Sequence, residues 1–487
     1  MLSLKNEIMK KSKIFLTTLL LFVTILEMKS QSRGEVAKIV TQKLRSNTQE
    51  TIKDLLNINT QFDESLISRE VSKATIFEFN KTKALDIINR KPNLIAIEIK
   101  TATKEKIILD LYKEESAFSS LTIETSDGKE FDQSKPNMSF YRGMIRGNKN
   151  SVVSLSISES EISGFISYQN GNLIIGKLKN YAQIILYNDK DLKQKIDFNC
   201  ANIDGDTTTK DYEILNNQND LARIRTSNCV RLYYETEYDI YQNLGSTASV
   251  VAYVLNLYNQ VGTLFTNDGI STSLSHIFIW TIDDPYTATI TSHPSSMAEV
   301  NAYRTTINGD LGQVISFRNT GGGAAGIARI CNERKLGSVG SLSRGFANVP
   351  LFSNNVYLSI HEFGHSFGSQ HTHACVWNGK GTAIDSCVPV SYSPVPGIPS
   401  IGGTIMSYCH TQSVGVNFSL GFGPQPLAVI TNHVNSSNCL TTCCIEELFV
   451  NVNVEASGID YKQATTSIIA KIQLIMVEMQ FIMLVAI

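Results

Sequence analysis

One segment constrains this chain more than any other: His361-Glu362-Phe363-Gly364-His365-Ser366-Phe367-Gly368-Ser369-Gln370-His371. The chain has only eight histidines, and four of them fall between His361 and His373. Val356, Ile360, Phe363 and Phe367 recur at spacings of four, three and four, which marks a helix with one apolar face and Asn354 or Ser353 as N-cap. That face packs on a sheet. His361 and His365 then share a different face, one turn apart, where two imidazoles can hold one metal ion. Gly368 stands where a helix C-terminal glycine takes positive φ and turns the chain, so that His371 returns as a third ligand. Three neutral imidazoles leave a fourth tetrahedral position open, as in a catalytic rather than a structural zinc site. Glu362, beside the first ligand, can accept the proton of a water attacking a carbonyl and pass it to a leaving amine. A helix that merely displays surface histidines has no need of Gly368 and His371 as well.

The rest of the chain supplies the setting. Its 487 residues suggest two or three domains. Apolar residues at 42% and charged residues at 18% exclude disorder throughout. A net charge of −2, from 43 basic and 45 acidic side chains, gives no bulk attraction to nucleic acid or to an anionic membrane. Lys10, Lys11 and Lys13 precede an apolar run from Ile14 to Leu26, too short to span a bilayer, so residues 1–30 read as a secretory signal with Met9 as an alternative start. The alternative is an uncleaved anchor, since Glu27 and Lys29 follow without a small-x-small cleavage site. Export to the exterior or the cell surface permits disulfides.

Residues 31–225 contain one cysteine and no histidine. A polar, helix-tolerant stretch from Glu35 to Ile67 is followed by strand candidates Leu94–Thr101, Lys106–Lys113, Ser151–Ser158, Ile162–Tyr168 and Gly171–Leu178. Val153, Leu155 and Ile157 alternate with Ser154, Ser156 and Ser158, the pattern of a half-buried strand. Asn199–Asn219 reads as an exposed linker. From Ser227 the pattern turns to alternating strand and helix. Val230–Glu235 is a strand. Val250, Val254, Leu257, Val261 and Leu264 form one helix face, and Ile270–Ile282 is a strand with Leu274, His276, Phe278 and Trp280 on one side. Leu311–Phe317 and Gly326–Cys331 flank the glycines Gly321–Gly323. The expectation is an α/β fold: a small β-rich domain, then a mixed, mostly parallel sheet with helices packed on it.

Together with Met406 in Gly402-Gly403-Thr404-Ile405-Met406-Ser407-Tyr408, the segment His361–His371 resembles the metzincin zinc endopeptidases, whose active-site helix is followed by a Met-turn. Over residues 226–445 the resemblance is closest to the reprolysin (adamalysin) branch of secreted bacterial proteins. It implies one catalytic Zn2+ on His361, His365 and His371, Glu362 as general base, Met406 as a structural support, and protein or peptide substrates. It further implies that an extended substrate pairs with an edge strand, here Gly326–Cys331. Thr372 departs from that branch, where many relatives carry an acidic residue. Tyr408 follows Met406 by two, as in astacin-like and serralysin-like metzincins, where such a tyrosine supports the oxyanion; the other reading is a packed core tyrosine. His373 and His410 read as structural, and no calcium site is legible.

Eight cysteines, Cys229, Cys331, Cys375, Cys387, Cys409, Cys439, Cys443 and Cys444, lie in the catalytic region and suggest up to four disulfides. Cys375–Cys387 is the expected pairing after the third ligand, and geometry disfavours Cys443 with Cys444, so each is expected to have a distant partner. Cys200 is left over. Tyr141-Arg142-Gly143 and Gly171-Asn172-Leu173-Ile174-Ile175 resemble a reprolysin pro-domain, so residues 31–225 read as an inhibitory pro-domain with Cys200 as the thiol that caps the zinc. The tail, residues 446–487, ends in the apolar Lys471–Ile487, which reads as a frameshifted end of a longer exported chain. A second class of function, a non-catalytic zinc-binding adhesion protein, would usually have lost the glutamate or a ligand. Both are present here.

Overall fold

The computed structural model describes residues 34–441 apart from 102–104, 129–136, 194–198, 201–225, 227, 288–292, 319–320, 341, 343–349, 351, 379–380 and 391–394. The leader 1–30, the linker beyond Cys200 and the tail 446–487 lie outside the described residues. In chain order the N-terminal elements are α1 (Glu35–Ser46), β1 (Glu50–Ile52), β2 (Leu56–Ile58), β3 (Thr75–Phe79), α2 (Lys81–Arg90), β4 (Leu94–Lys100) and β5 (Lys106–Lys113). Then come β6 (Thr122–Thr125), β7 (Met138–Ile145), β8 (Asn148–Ser158), β9 (Ile162–Tyr168), β10 (Gly171–Lys177), β11 (Ile184–Asn188) and β12 (Asn199–Cys200). The second half contributes β13 (Cys229–Thr236), α3 (Tyr238–Leu244), α4 (Thr247–Asn267), β14 (Ser271–Ile279), α5 (His293–Tyr303), β15 (Leu311–Ile315), β16 (Gly322–Ala324), β17 (Leu336–Val339), α6 (Phe352–Ser366) and α7 (Pro424–Ser436).

Ten N-terminal strands form one sheet, ordered β1-β4-β5-β7-β8-β9-β10-β11-β3-β2, in which only β1 and β4 run parallel. One face buries Ile95, Ile97, Leu109, Leu111, Val153, Leu155 and Ile157 against Ala84, Ile87 and Ile88 of α2. The other face is covered as well. Ser154 and Ser156, expected on the open side of a half-buried strand, are 0% and 1% exposed, because α4 lies across them. Small hydroxyl side chains suit that site: they let a helix approach closely and still offer hydrogen bonds.

The second sheet is ordered β12-β16-β17-β15-β13-β14-β6, and among its described pairings only β16–β17 is antiparallel. Both of its edge strands, β12 and β6, come from the N-terminal half. Helix α4 follows its apolar pattern into the core, with Val250, Val254, Leu257, Val261 and Leu264 all buried. In β14 the single face breaks at a bulge, where Leu232 pairs with Leu274 but Tyr233 with His276. Leu274 therefore joins the large core, while His276 stacks on Tyr233 and Phe278 packs with that tyrosine in a separate cluster. No helix among the described residues is long and apolar enough to cross a membrane.

Three expectations are corrected. The strand beside the site is β16, which β12 covers, and Gly326–Cys331 is not a strand: Ala328 and Cys331 take φ of 55° and 62°, which breaks an extended run. That loop instead caps α6, with Ala328 N–H donating to His365 O at 3.0 Å and Arg329 N–H to Ser366 O at 2.8 Å. Cys387 pairs with Cys409 rather than Cys375, which is an exposed thiol, and Cys331 pairs with Cys439. Cys229 is also disulfide-bonded. Helix α6 begins at Phe352, so Ser353 and Asn354 lie within its first turn rather than at its N-cap.

Candidate metal centre

Helix α6 presents its ligands because its other sides are fixed. Val356, Ile360 and Phe363 are fully buried, and the Phe363 ring meets Tyr234 edge-on at 5.7 Å. Ser359 Oγ donates to Gln313 Oε1 at 2.7 Å, and Gln313 Nε2 returns a bond to Ser359 O at 2.8 Å, which ties the helix to β15. The helix then stops: Gly368 takes φ 113°, and its N–H donates to His365 O at 2.8 Å. A side chain is strained in that conformation, which is why glycine stands there.

The turn carries His371 back onto the helix. His365 Nε2 and His371 Nε2 lie 3.1 Å apart, and Cys200 Sγ lies 3.4 Å from His365 Nε2. One ligand atom each from Cys200, His361, His365 and His371 falls within 4.8 Å of every other, all four residues being buried. The backbone sets the tautomers. His361 Nδ1 is 2.8 Å from Ile405 O, and His365 Nδ1 is 2.8 Å from Ser369 O. Carbonyls only accept, so each Nδ1 carries the proton and each Nε2 turns its lone pair inward. Burial, reinforced by the neighbouring imidazoles of His365 and His371, holds the His361 pKa well below its usual range and keeps the ring a neutral donor.

These donors fit zinc. With Zn–N of about 2.0–2.1 Å and Zn–S of about 2.3 Å, tetrahedral ligands stand about 3.3 Å apart for two nitrogens and about 3.6 Å for nitrogen and sulfur. The observed 3.1 and 3.4 Å are close to both. Among the described residues the other candidate group is Asp385, Cys387 and Cys409, but its two cysteines are joined in a disulfide.

Glu362 is fully buried beside this cluster. Burial pushes its carboxyl up to about 8, opposed by the neighbouring Cys200 thiol. Room for it comes from Gly323 on β16, where a Cβ would stand 2.5 Å from both Cγ and Oε1 of Glu362. Gly364 plays the same part beneath the helix: a Cβ there would collide with Met406 Sδ. Met406 is fully buried and its carbonyl accepts from Thr372 N–H at 3.1 Å, so the methionine turn supports both the helix and the segment that carries His371. Tyr408 donates its hydroxyl to Cys200 O at 3.0 Å, with its ring 4.8 Å from that of His371. His373 stacks on His371 at 4.9 Å, and His410 Nδ1 lies 3.0 Å from the Tyr357 hydroxyl. Neither belongs to the four-residue group.

Every singled-out residue therefore meets at one place: His361, Glu362, His365 and His371 on or just after α6, Met406 below, Tyr408 and Cys200 in front. The sequence reading missed the roles of Gly323 and Gly364 and of the carbonyls of Ile405 and Ser369. The Gly321–Gly323 cluster was a visible signal for the first; backbone carbonyls leave none.

Residues 226–419 match the model of metallo-peptidase family M12, Reprolysin_5. The match supports zinc-dependent peptidase activity in general, with proteins as substrates. No curated protein matches the chain. Among solved structures, metalloproteinase-II from Bacteroides fragilis superposes with TM-score 0.31 at 10% identity, over 69% of this chain and 95% of that one. A chaperone–substrate complex superposes with TM-score 0.26 at 13% identity, over 58% of this chain and 38% of that one. Superpositions this loose carry no argument about function.

Proposed function

We propose that this chain is a secreted zinc endopeptidase made in a latent form. His361, His365 and His371 hold the ion, Glu362 moves the proton, and Cys200 occupies the fourth position until the N-terminal half is cut from the catalytic half. The observation that carries this reading is the convergence of three imidazole nitrogens and one thiol within 4.8 Å, with a buried carboxyl alongside. When bound, zinc supplies Lewis acidity, which lowers the pKa of a water to about 7 and polarises a carbonyl. The remaining work falls to the chain itself. Glu362, ionised beside the cation, takes the proton of the attacking water and delivers it to the leaving amine.

With Cys200 withdrawn, the edge of β16 is open, and an extended polypeptide can pair there through main-chain bonds, which admits varied sequences. In this reading the Tyr408 hydroxyl, which here donates to the carbonyl of Cys200, donates instead to a substrate's carbonyl oxygen. The disulfides Cys331–Cys439 and Cys387–Cys409 suit an oxidising exterior, in keeping with the leader. The test is chelator-sensitive casein hydrolysis by the processed protein against Glu362→Ala. Removal of the proton carrier should cost about 10²–10⁴-fold. Equal hydrolysis by both would remove Glu362 from its role.

A further inference from the structure

We infer that the N-terminal region, residues 34–193, stays bound to the catalytic region after the connecting segment is cut, so that the processed protein is a two-chain molecule. Only the stretch around Cys200 withdraws. The inference rests on the latent-peptidase reading above but concerns assembly, which can be measured separately from activity.

The two regions are built into each other. Helix α4 belongs to the catalytic region by sequence but lies buried on the N-terminal sheet. Asn259 Nδ2 donates to Leu155 O at 3.1 Å and to Ser156 Oγ at 3.3 Å, and Thr263 Oγ1 donates to Ser154 Oγ at 3.0 Å. Arg142, from β7, pairs with Glu114 at 3.0 Å and donates to Thr266 Oγ1 at 3.0 Å, its side chain only 3% exposed. Gly262 makes way for it: a Cβ there would stand 2.8 Å from the guanidinium. At the far edge, β6 pairs with β14 from Thr122–His276 to Thr125–Ile279. Beside the methionine turn, Asn172 Nδ2 donates to Val416 O at 2.8 Å, and Ser167 Oγ donates to Asn417 Oδ1 at 3.0 Å.

Apolar packing joins these polar seams. Phe118 meets Tyr258 edge-on at 5.4 Å, and Phe165 meets Phe418 at 5.3 Å. Val152, Ile174 and Tyr187 belong to the same continuous core as Val261 and Phe265. Separation would expose apolar faces on both partners, whereas monomers rarely carry contiguous patches beyond a few hundred Å². An interface of this kind resembles a core cut in half, as in permanent complexes.

The segment at the metal site is held quite differently. The N-terminal sheet keeps its last strand fixed as far as Lys193, whose N–H donates to Glu70 O at 2.9 Å. Beyond it, β12 is a two-residue pairing, Asn199 with Gly322 and Cys200 with Gly323, supplemented by the Tyr408 bond and the thiol. Among the described pairings between the halves it is shorter than the four-residue β6–β14 ladder. A consequence follows for latency. If the N-terminal region stays, a cut after Cys200 leaves the thiol tethered at an effective concentration of about 1 mM, and it returns to the site. A cut between Lys193 and Asn199 alone leaves it tethered through the chain that leads to Thr226, so cuts on both sides of Cys200 are needed to free it.

The test uses the full chain in two forms, both carrying inserted recognition sequences for a site-specific protease. One form carries an insertion between Lys193 and Asn199 and a second between Cys200 and Thr226; the other carries only the insertion between Cys200 and Thr226. Complete cleavage is verified on a denaturing gel, and the cut protein is then run on size-exclusion chromatography at low and high salt. The N-terminal and catalytic fragments should co-elute in both forms, and hydrolysis of a fluorogenic peptide should be about tenfold or more faster for the doubly cut form, in which the Cys200 segment can leave. Separation of the fragments would overturn the inference, whatever the activity. Equal activity in two co-eluting forms would overturn the tether while upholding the assembly. Co-elution without hydrolysis in either form would uphold the assembly and count against the peptidase reading instead.

Discussion

Gly323→Ala probes the geometry of the site without touching a ligand. Gly323 does not need positive φ, so alanine is compatible with the backbone there, and the consequence is local. The added Cβ would sit 2.5 Å from Cγ and Oε1 of Glu362 and 2.7 Å from Cδ, where ordinary contact begins at 3.4 Å. Either the carboxyl or β16 must therefore move by about 1 Å. A displacement of that size in a reacting group costs about 10²-fold, equivalent to about 2.7 kcal/mol of transition-state stabilisation. The assay is kcat/KM on a fluorogenic peptide with the processed protein, alongside zinc content and thermal unfolding. The loss should fall on kcat, with zinc content unchanged. Glu362→Asp, which is shorter by one methylene, supplies the control: adding Gly323→Ala to it should cost far less than in the wild type, because the room is already vacated. Full activity in Gly323→Ala, or strictly additive losses in the double variant, would refute the reasoning.

Cys200→Ser should raise the activity of the uncut chain by about tenfold or more, since a hydroxyl is a much weaker zinc ligand than a thiolate; unchanged latency would remove the thiol from the site. Asp189, which accepts from Asn172 Nδ2 at 2.7 Å, has its carboxyl pushed up to about 6 by burial, against 3.8 for the unperturbed group. The folded state therefore binds the proton more tightly, and this contribution to stability, present below about pH 4, is lost as pH rises through about 6. Chemical denaturation from pH 4 to 7 should show that decline in the wild type and a flatter profile in Asp189→Asn; identical slopes would exclude the group.

Much of the site was legible because its chemistry is local. His361, Glu362 and His365 sit on one helix, Gly368 turns the chain, and His371 follows within a few residues, so the spacing alone brings them together. Met406 and Cys200 needed the resemblance as well, since they reach the helix from 40 and about 160 residues away in sequence respectively. The strand beside the site was misplaced for a physical reason. Gly326–Cys331 has the apolar content of a strand, but its last-turn bonds to α6 and the Cys331–Cys439 disulfide impose positive φ that composition does not reveal. The alternating serines of β8 read as a solvent face for the same kind of reason: a polar surface looks the same in sequence whether water or a helix covers it. Asn259 and Thr263 on α4 are the complement, and only the fold brings the two together.

The central claim is the donor set, and X-ray absorption at the zinc edge of the uncut, zinc-loaded chain tests it most directly. One zinc per chain is predicted, with three nitrogen neighbours at about 2.0–2.1 Å and one sulfur at about 2.3 Å. A chain that holds no stoichiometric zinc, or a first shell without histidine nitrogen, would contradict the account.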